Sequence, residues 1–178
     1  MRPWIMILLS LMAAAAAVRV AAAELKPLEV VPRVDIQRYL GTWYEIATIP
    51  QRFQKGCVGV TAHYSLRADG DIDVVNVCRQ GTLDGRARSV RGKAWVVDKQ
   101  TNAKLKVRFF WPFAGAYWII ELDEDYQWAV VGHPERNYLW ILSRTPQMDG
   151  GVFDELIRRI AAKGYDTNRI KKTLQPAG

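Results

Sequence analysis

The sequence predicts an all-β fold, an eight-stranded antiparallel up-and-down β-barrel with one C-terminal α-helix packed outside. Eight short segments rich in β-branched and aromatic residues recur along the chain, each bounded by turn residues. Only one segment has helical periodicity, and it follows the last strand. A two-sheet sandwich is the competing architecture. The number of tryptophans expected to face inward favours the barrel.

Short connections join the predicted strands. Gly70, Asn102 and Asp123 lie where the tightest turns are needed, and these residue types are typical of such turns. The strands are predicted at residues 42–49, 58–66, 71–79, 92–97, 104–110, 116–122, 127–132 and 137–143.

The helix is predicted in the segment "MDGGVFDELIRRIAAKG". Asp149 is the expected N-cap, and Gly164 is expected to end the helix. Acidic residues near its start and basic residues near its end complement the helix dipole. The apolar residues at helical spacing are Phe153, Leu156, Ile157 and Ile160.

The N-terminus is predicted to be a cleaved export signal, residues 1–23, followed by one domain, residues 24–178. Arg2 precedes an apolar run, and three alanines that end at Ala23 form a cleavage site. Cleavage after Ala17 is the alternative. A membrane anchor is a further alternative, but the apolar run is short for a spanning helix.

The first cysteine of the chain is Cys57, so no cysteine stands at the predicted cleavage site for lipidation. We therefore expect an exported, soluble, periplasmic protein, associated at most peripherally with the outer membrane. The formal net charge of +7 suits anionic surfaces. No basic helix or aromatic ribonucleoprotein motif indicates nucleic acid. His63 and His133 have no metal-ligand spacing, and no metal or cofactor is predicted.

Three ordered motifs resemble the signatures of the lipocalin family. They are "GTWYEIA" on the first strand, "DEDYQWAVVG" around the sixth and seventh strands, and "YLWILSRTP" at the end of the last strand. The likeness covers residues 30–175; it is strongest to bacterial outer-membrane lipocalins and weaker to apolipoprotein D. The resemblance implies a calyx, closed at one end, that binds a hydrophobic ligand.

The resemblance also assigns Trp43 and Arg144 to barrel closure, with the guanidinium stacked on the indole. A cation–π contact and five N–H donors suit a residue that plugs a wide barrel end. Because Trp43 marks the closed end, the connections 50–57, 80–91, 111–115 and 132–137 are expected at the open mouth.

Ligand-lining residues are predicted from matches to apolipoprotein D and from strand alternation. The resulting cavity suits fatty acids or lysophospholipids, with Asn76 and Tyr138 as polar contacts. Ordinary core filling is the alternative for each aliphatic residue. The predicted lining comprises Tyr64, Val74, Asn76, Leu105, Val107, Phe109, Trp118, Ile120, Trp128, Val130, Tyr138 and Trp140.

A basic mouth is predicted, because arginines outnumber acidic residues in the segments expected there. Anionic lipid headgroups are the expected partner, and a merely solvated face is the alternative. The arginines are Arg52, Arg79, Arg86, Arg88 and Arg91.

Cys57 and Cys78 are expected to form a disulfide, because they lie at the same height on neighbouring strands of an exported chain. Simple alternation places them on opposite faces, so a turn or bulge is expected before Val58. If the thiols are free, a lipocalin-fold isomerase with a pocket cysteine is the alternative function. A third alternative is an interaction protein with a filled cavity. Trp95 and Tyr44 are candidates for a homodimer surface.

Overall fold

The predicted barrel is confirmed. A computed structural model describes residues 26–177, and the predicted export signal lies outside them. Each strand pairs antiparallel with the next, β8 returns to β1, and β1 pairs with β2 to close the ring. The eight barrel strands are β1 (Gly41–Thr48), β2 (Cys57–Leu66), β3 (Ile72–Gln80), β4 (Ala87–Val96), β5 (Lys104–Phe110), β6 (Phe113–Leu122), β7 (Trp128–Gly132) and β8 (Leu139–Ser143).

Strand β4 begins at Ala87, earlier than the predicted residue 92. Its added residues continue the ladder with β3, where Cys78 pairs with Arg88 and Arg79 pairs with Ala87. This part of the strand is exposed and polar, so it lacks the apolar alternation by which strands are recognised. The segment predicted as a long mouth loop, 80–91, is therefore partly strand.

The predicted helix, α2 (Gly150–Ala162), packs on the outside of the barrel. Asp149 caps it by accepting a hydrogen bond from the Val152 amide, and Gly164 follows its end with a φ of +86°. Leu156 and Ile160 are fully buried. They join an outer core that also contains β1, β7 and β8 side chains, separate from the core inside the barrel.

Among the described residues, one short α-helix and one short strand were not predicted. The one-turn helix α1 (Ile36–Tyr39) precedes β1, and Asp35 caps it by accepting bonds from two backbone amides. Strand β9 (Lys171–Lys172) pairs with β1 near the mouth.

The C-terminal segment fills a gap between β1 and β2. Direct pairing of these strands ends at Tyr44 and Thr61. Beyond that point, the Gly59 amide donates to the Leu174 carbonyl at 2.7 Å. The Gln175 side-chain amide donates to the carbonyls of Glu45 and Val60 at 2.8 and 2.9 Å. The segment thus completes the wall of the barrel on its mouth side.

Candidate functional site: a barrel interior open at one end

Trp43 and Arg144 close one end of the barrel. The guanidinium carbon of Arg144 lies 3.8 Å from the centre of the Trp43 ring. Its nitrogens donate to the carbonyls of Tyr126, Thr42 and Arg38 at 3.2, 3.0 and 2.6 Å. Burial lowers the pKa of Arg144 below its ordinary value. The arrangement joins the end of β8 to β1, to α1 and to the turn before β7.

Three tyrosines form the floor above this plug. The Tyr117 hydroxyl lies 2.8 Å from the hydroxyls of both Tyr39 and Tyr64. Burial raises the pKa of Tyr64 to about 12 and raises the pKa of the other two well above the ordinary value. All three therefore stay protonated at neutral pH. Of these three tyrosines, only Tyr64 was predicted from the sequence to face the interior.

The interior is nearly filled at this end. A cavity of about 10 Å³ lies against the tyrosine floor, which is room for about one water molecule. Its walls are Tyr39, Tyr64, Ile72, Val74, Ala94, Leu105, Val107 and Tyr117.

Toward the mouth, inward-facing side chains on β2, β3, β5 and β8 become accessible to solvent, whereas Val131 on β7 stays fully buried. On β3, Val74 is 2% exposed, whereas Asn76, two residues nearer the mouth, is half-buried. On β5, Leu105 is 4% exposed, whereas Val107 and Phe109 are half-buried. The same change occurs from Tyr64 to Ala62 on β2 and from Leu142 to Trp140 on β8. The barrel is thus packed at the closed end and open above.

On β2, β3, β5 and β8, six of the predicted lining residues belong to the interior core or pack against it. Tyr64, Val74 and Leu105 belong to the interior core, and Val107, Phe109 and Trp140 pack against it. Asn76 shares their face through its pairing with Ala62. Its Oδ1 atom is buried and has no hydrogen-bond partner within residues 26–177. Tyr138 stacks on Trp140, with ring centres 6.0 Å apart.

On β6, the prediction that Trp118 and Ile120 line the interior is wrong. Tyr117 and Ile119 face inward instead, and both belong to or pack against the interior core. Alternation then directs Trp118 outward, where the Lys104 ammonium lies 4.7 Å from its ring centre. Ile120 lies at a bulge between Ile119 and Glu121 and packs in the outer core.

On β7, the prediction for Trp128 and Val130 is wrong for a different reason. Simple alternation from Tyr126 places Trp128 and Val130 on its own face, but Tyr126 precedes the strand and has a φ of +61°. A residue in the left-handed region interrupts the alternation. Ala129 and Val131 therefore face inward, and Trp128 and Val130 pack in the outer core with the helix.

A polar network behind Trp140 was not predicted. The Trp140 indole donates to Gln54 Oε1 at 3.2 Å, and Gln54 Nε2 donates to Glu45 Oε2 at 2.8 Å. The Thr173 hydroxyl donates to the other Glu45 oxygen at 2.5 Å. Glu45 is 4% exposed, and burial raises its pKa above the ordinary value. The sequence carries one signal of this burial: Glu45 lies two residues after Trp43 and therefore on the same face of β1.

Comparison with known proteins agrees with this architecture. The lipocalin-like domain family matches residues 34–175. The chain belongs to the lipocalin family. It is 43% identical over 176 residues to the outer membrane lipoprotein Blc of Escherichia coli K12, covering 95% of this chain and 98% of the relative.

Further relatives are more distant in origin. Temperature-induced lipocalin-1 of Arabidopsis thaliana is 42% identical over 161 residues, covering 85% of each chain. Bovine apolipoprotein D is 35% identical over 121 residues, covering 64% of this chain and 62% of the relative. The structure of insecticyanin from the tobacco hornworm shares the fold, with a TM-score of 0.66 and 18% identity, covering 82% of this chain and 83% of that one.

The lipocalin contains a disulfide between Cys57 and Cys78, whose Cα atoms lie 5.4 Å apart. The irregularity that brings them to one face is a bulge between Val58 and Thr61, rather than a turn before Val58. Gly59, with a φ of +54°, lies in this bulge. Neither cysteine carries a free thiol, so the isomerase hypothesis lacks its nucleophile in this structure.

At the mouth of the lipocalin, the predicted arginines are all exposed. Arg52 lies in the β1–β2 connection, and Arg79, Arg86 and Arg88 lie around the β3–β4 connection. None of these four forms a salt bridge within residues 26–177. Arg91 does not belong to the mouth, because it lies in the middle of β4, opposite Val75.

The two histidines of the lipocalin are apart. His63 is exposed on β2, 3.0 Å from the Thr42 hydroxyl, and the His133 ring lies against Tyr138. Within residues 26–177, no group of three metal-ligating side chains comes together. In the same range, the helices are too short or too polar to cross a bilayer.

Proposed function

We propose that this lipocalin binds a single-chain amphiphile of the fatty acid or lysophospholipid class in the mouth half of its barrel. It stores or transports this lipid in the bacterial cell envelope. The observation that carries the proposal is the change in exposure along the inward strand faces. On β2, β3, β5 and β8, inward side chains near the closed end are buried, whereas Ala62, Asn76, Val107, Phe109 and Trp140 nearer the mouth are half-buried, which supports entry of a ligand from that end.

The walls of the open half are suited to an acyl chain. Phe109 and Trp140 are half-buried aromatic residues on this inward surface, and Ala62 and Val107 are aliphatic. Each buried methylene contributes about 0.8 kcal/mol without directional contacts. A chain therefore gains affinity mainly from its length, until it reaches the tyrosine floor.

Asn76 provides a polar contact for the head of such a ligand. Its Oδ1 atom has no partner in the described part of the chain and accepts hydrogen bonds only. The free glycerol hydroxyl of a lysophospholipid can donate to this oxygen, whereas a fatty acid carboxylate can only accept from the Asn76 NH2 group and leaves the oxygen without a partner. Asn76→Leu should therefore weaken lysophospholipid binding more than fatty acid binding. Equal weakening of both would contradict this role.

Tryptophan fluorescence tests the proposal directly. We expect fatty acids and lysophospholipids of increasing length to change the emission through Trp140, which faces the open half. Trp140→Phe should abolish most of the response. Trp118→Phe is the matched control, because Trp118 lies outside under Lys104, and it should leave the response intact. No response from any lipid, together with no co-purified lipid by mass spectrometry, would instead support an interaction protein with a filled cavity.

The proposed location rests on the export signal expected from the sequence and on relatives named as outer membrane lipoproteins. Fractionation of the producing bacterium should recover the protein in the periplasm. The mass of the purified protein would report both cleavage and any lipid modification. Recovery from the cytoplasm at full length would contradict the proposed location.

The mouth arginines are proposed to attract the lipocalin to anionic membranes. At this end, arginines without salt-bridge partners in the described residues outnumber the acidic residues, and their attraction to an anionic surface is screened by salt. Arg88→Ser should reduce binding to anionic vesicles at low salt. Arg91→Ser is the matched control on the same strand and should have a smaller effect. Equal losses would show that the mouth has no special role.

A further inference from the structure

Four large aromatic side chains are exposed at the mouth. Phe53 is 63%, Phe110 72%, Trp111 82% and Phe113 79% exposed. Soluble monomers seldom expose aromatic residues in such density unless the surface meets a partner. We call these four residues the aromatic rim. Their exposure sets them apart from Phe109 and Trp140, the half-buried aromatic residues of the calyx wall.

The rim has two parts on opposite sides of the opening. Phe53 lies in the connection between β1 and β2, and the other three lie at the turn between β5 and β6. In a closed ring of eight strands in sequential order, these two connections are about half a turn apart. A surface that contacts both parts must therefore extend across the whole mouth.

The charges around the rim indicate what that surface is. Arg52 is adjacent to Phe53, and Arg79, Arg86 and Arg88 lie on one side between the two parts of the rim. These arginines have no salt-bridge partner in the described chain. At the closed end, by contrast, Arg67 and Lys93 are paired with aspartates at 2.6 to 3.2 Å. Unpaired cations thus accompany the exposed aromatics.

We propose that the aromatic rim inserts into the headgroup region of an anionic lipid bilayer and holds the lipocalin mouth-down on it. Aromatic rings are favoured at the boundary between headgroups and acyl chains, and arginines there contact lipid phosphates. Charge attraction brings the protein to the membrane, and the rim anchors it. The partner is a bilayer rather than a second protein, because the aromatic and basic groups surround an opening instead of forming one continuous patch.

This orientation has a consequence for the ligand, which rests on the proposed function. An amphiphile that leaves a bilayer through water exposes its acyl chain, and every exposed methylene is unfavourable. With the calyx opening on the membrane, the chain passes between bilayer and barrel without that exposure. Transfer should then depend on collision between protein and vesicle, so its rate should rise with vesicle concentration.

The test compares the wild-type protein with Phe110→Ser/Trp111→Ser/Phe113→Ser by flotation with vesicles of phosphatidylcholine and phosphatidylglycerol in equal parts. We expect at least a tenfold loss of binding, since three aromatic side chains no longer enter the bilayer. The matched control is Leu66→Ser/Val97→Ser, which removes apolar side chains of 48% and 49% exposure at the closed end. It should bind vesicles like the wild type.

A single substitution and a fluorescence measurement distinguish a loss of membrane docking from a loss of folding. Trp111→Ser alone alters a side chain that is 82% exposed, so folding should be preserved, and vesicle binding should still decrease. Trp111 emission should shift to the blue on vesicles and be quenched by lipids brominated near the headgroup. Binding of lysophospholipid monomers in solution should be unchanged in both rim variants.

The results separate docking from ligand binding. If vesicle binding requires the rim but the protein binds no lipid monomer, the docking proposal is supported and the carrier proposal is overturned. Rim variants that float like the wild type would overturn docking. So would a closed-end control that loses binding equally. A rim variant with altered oligomeric state and unchanged flotation would identify the rim as a contact between copies and also overturn docking.

Discussion

The guanidinium of Arg144 lies over the Trp43 ring, 3.8 Å from its centre, and donates hydrogen bonds to three backbone carbonyls. This one side chain connects the last barrel strand to the first strand and to helix α1. Its planar arrangement of donors, rather than its charge alone, makes these contacts at the same time.

Arg144→Lys should therefore destabilise the protein although it preserves the charge. A lysine can retain the cation–π contact but cannot reach all three carbonyls, and we expect a loss of about 2 kcal/mol in the free energy of unfolding. Urea denaturation measures it. Arg67→Lys is the control at the same end, because Arg67 makes exposed, solvent-screened ion pairs, and this substitution should change stability little. Similar effects from both would contradict the role of Arg144.

Tyr117→Phe should destabilise the closed end. The substitution leaves the buried hydroxyls of Tyr39 and Tyr64 without the Tyr117 partner, at a cost of about 2 kcal/mol. The stability of the wild type should also depend on pH. The pKa of Tyr64 is 10.0 in the unfolded chain and about 12 in the folded protein. The free energy of unfolding should therefore fall as pH rises between these two values, because the unfolded chain ionises first. Tyr44→Phe, outside the barrel, is the control, and its stability should match the wild type. An equal loss in both variants would contradict the proposed role of the hydroxyl chain.

The strand order and the closure of the barrel could be predicted because apolar alternation and ordered motifs carry that information. The lining could be predicted only where alternation is uninterrupted. It failed on β7 because Tyr126 adopts a left-handed conformation before the strand. The prediction is wrong on β6 because Tyr117 and Trp118 are adjacent aromatic residues, and the interior takes Tyr117 rather than the larger Trp118. Which of two adjacent aromatics is inside depends on register, and register comes from partner strands rather than from local sequence.

The aromatic rim shows a different limit. "FFWPF" at residues 109–113 would suit a buried strand as well as an exposed turn. Only the structure separates Phe109, which packs against the interior core, from Phe110, which is 72% exposed. Alternation from Trp43 places Glu45 on the same face of β1, but its burial required the structure, because it depends on Thr173 and Gln175 in the C-terminal segment.

Replacing both cysteines, Cys57→Ser/Cys78→Ser, should lower stability by about 3 kcal/mol. The disulfide closes a loop with a sequence separation of 21 residues, and a loop of that size gives an entropic stabilisation of this order. Urea denaturation of the double variant, compared with oxidised and reduced wild-type protein, measures the effect. Reduced wild type should resemble the variant. A variant as stable as the oxidised protein would show that the bulge at Gly59 holds the two strands without the bond.

Glu45→Gln should change how stability depends on pH. Burial raises the pKa of Glu45 in the folded protein above its ordinary value of 4.5. The folded state therefore retains a proton that the unfolded state has released, and stability should fall as pH rises above about 4.5 through the raised pKa. The glutamine variant cannot ionise, so its urea midpoint should lack this decline. Glu29→Gln, at an exposed position, should retain the wild-type profile. A decline that persists in Glu45→Gln would assign it to another group. Gln54 connects Glu45 to the Trp140 indole. Ionisation of Glu45 should therefore also change the affinity for ligand, measured over the same pH range.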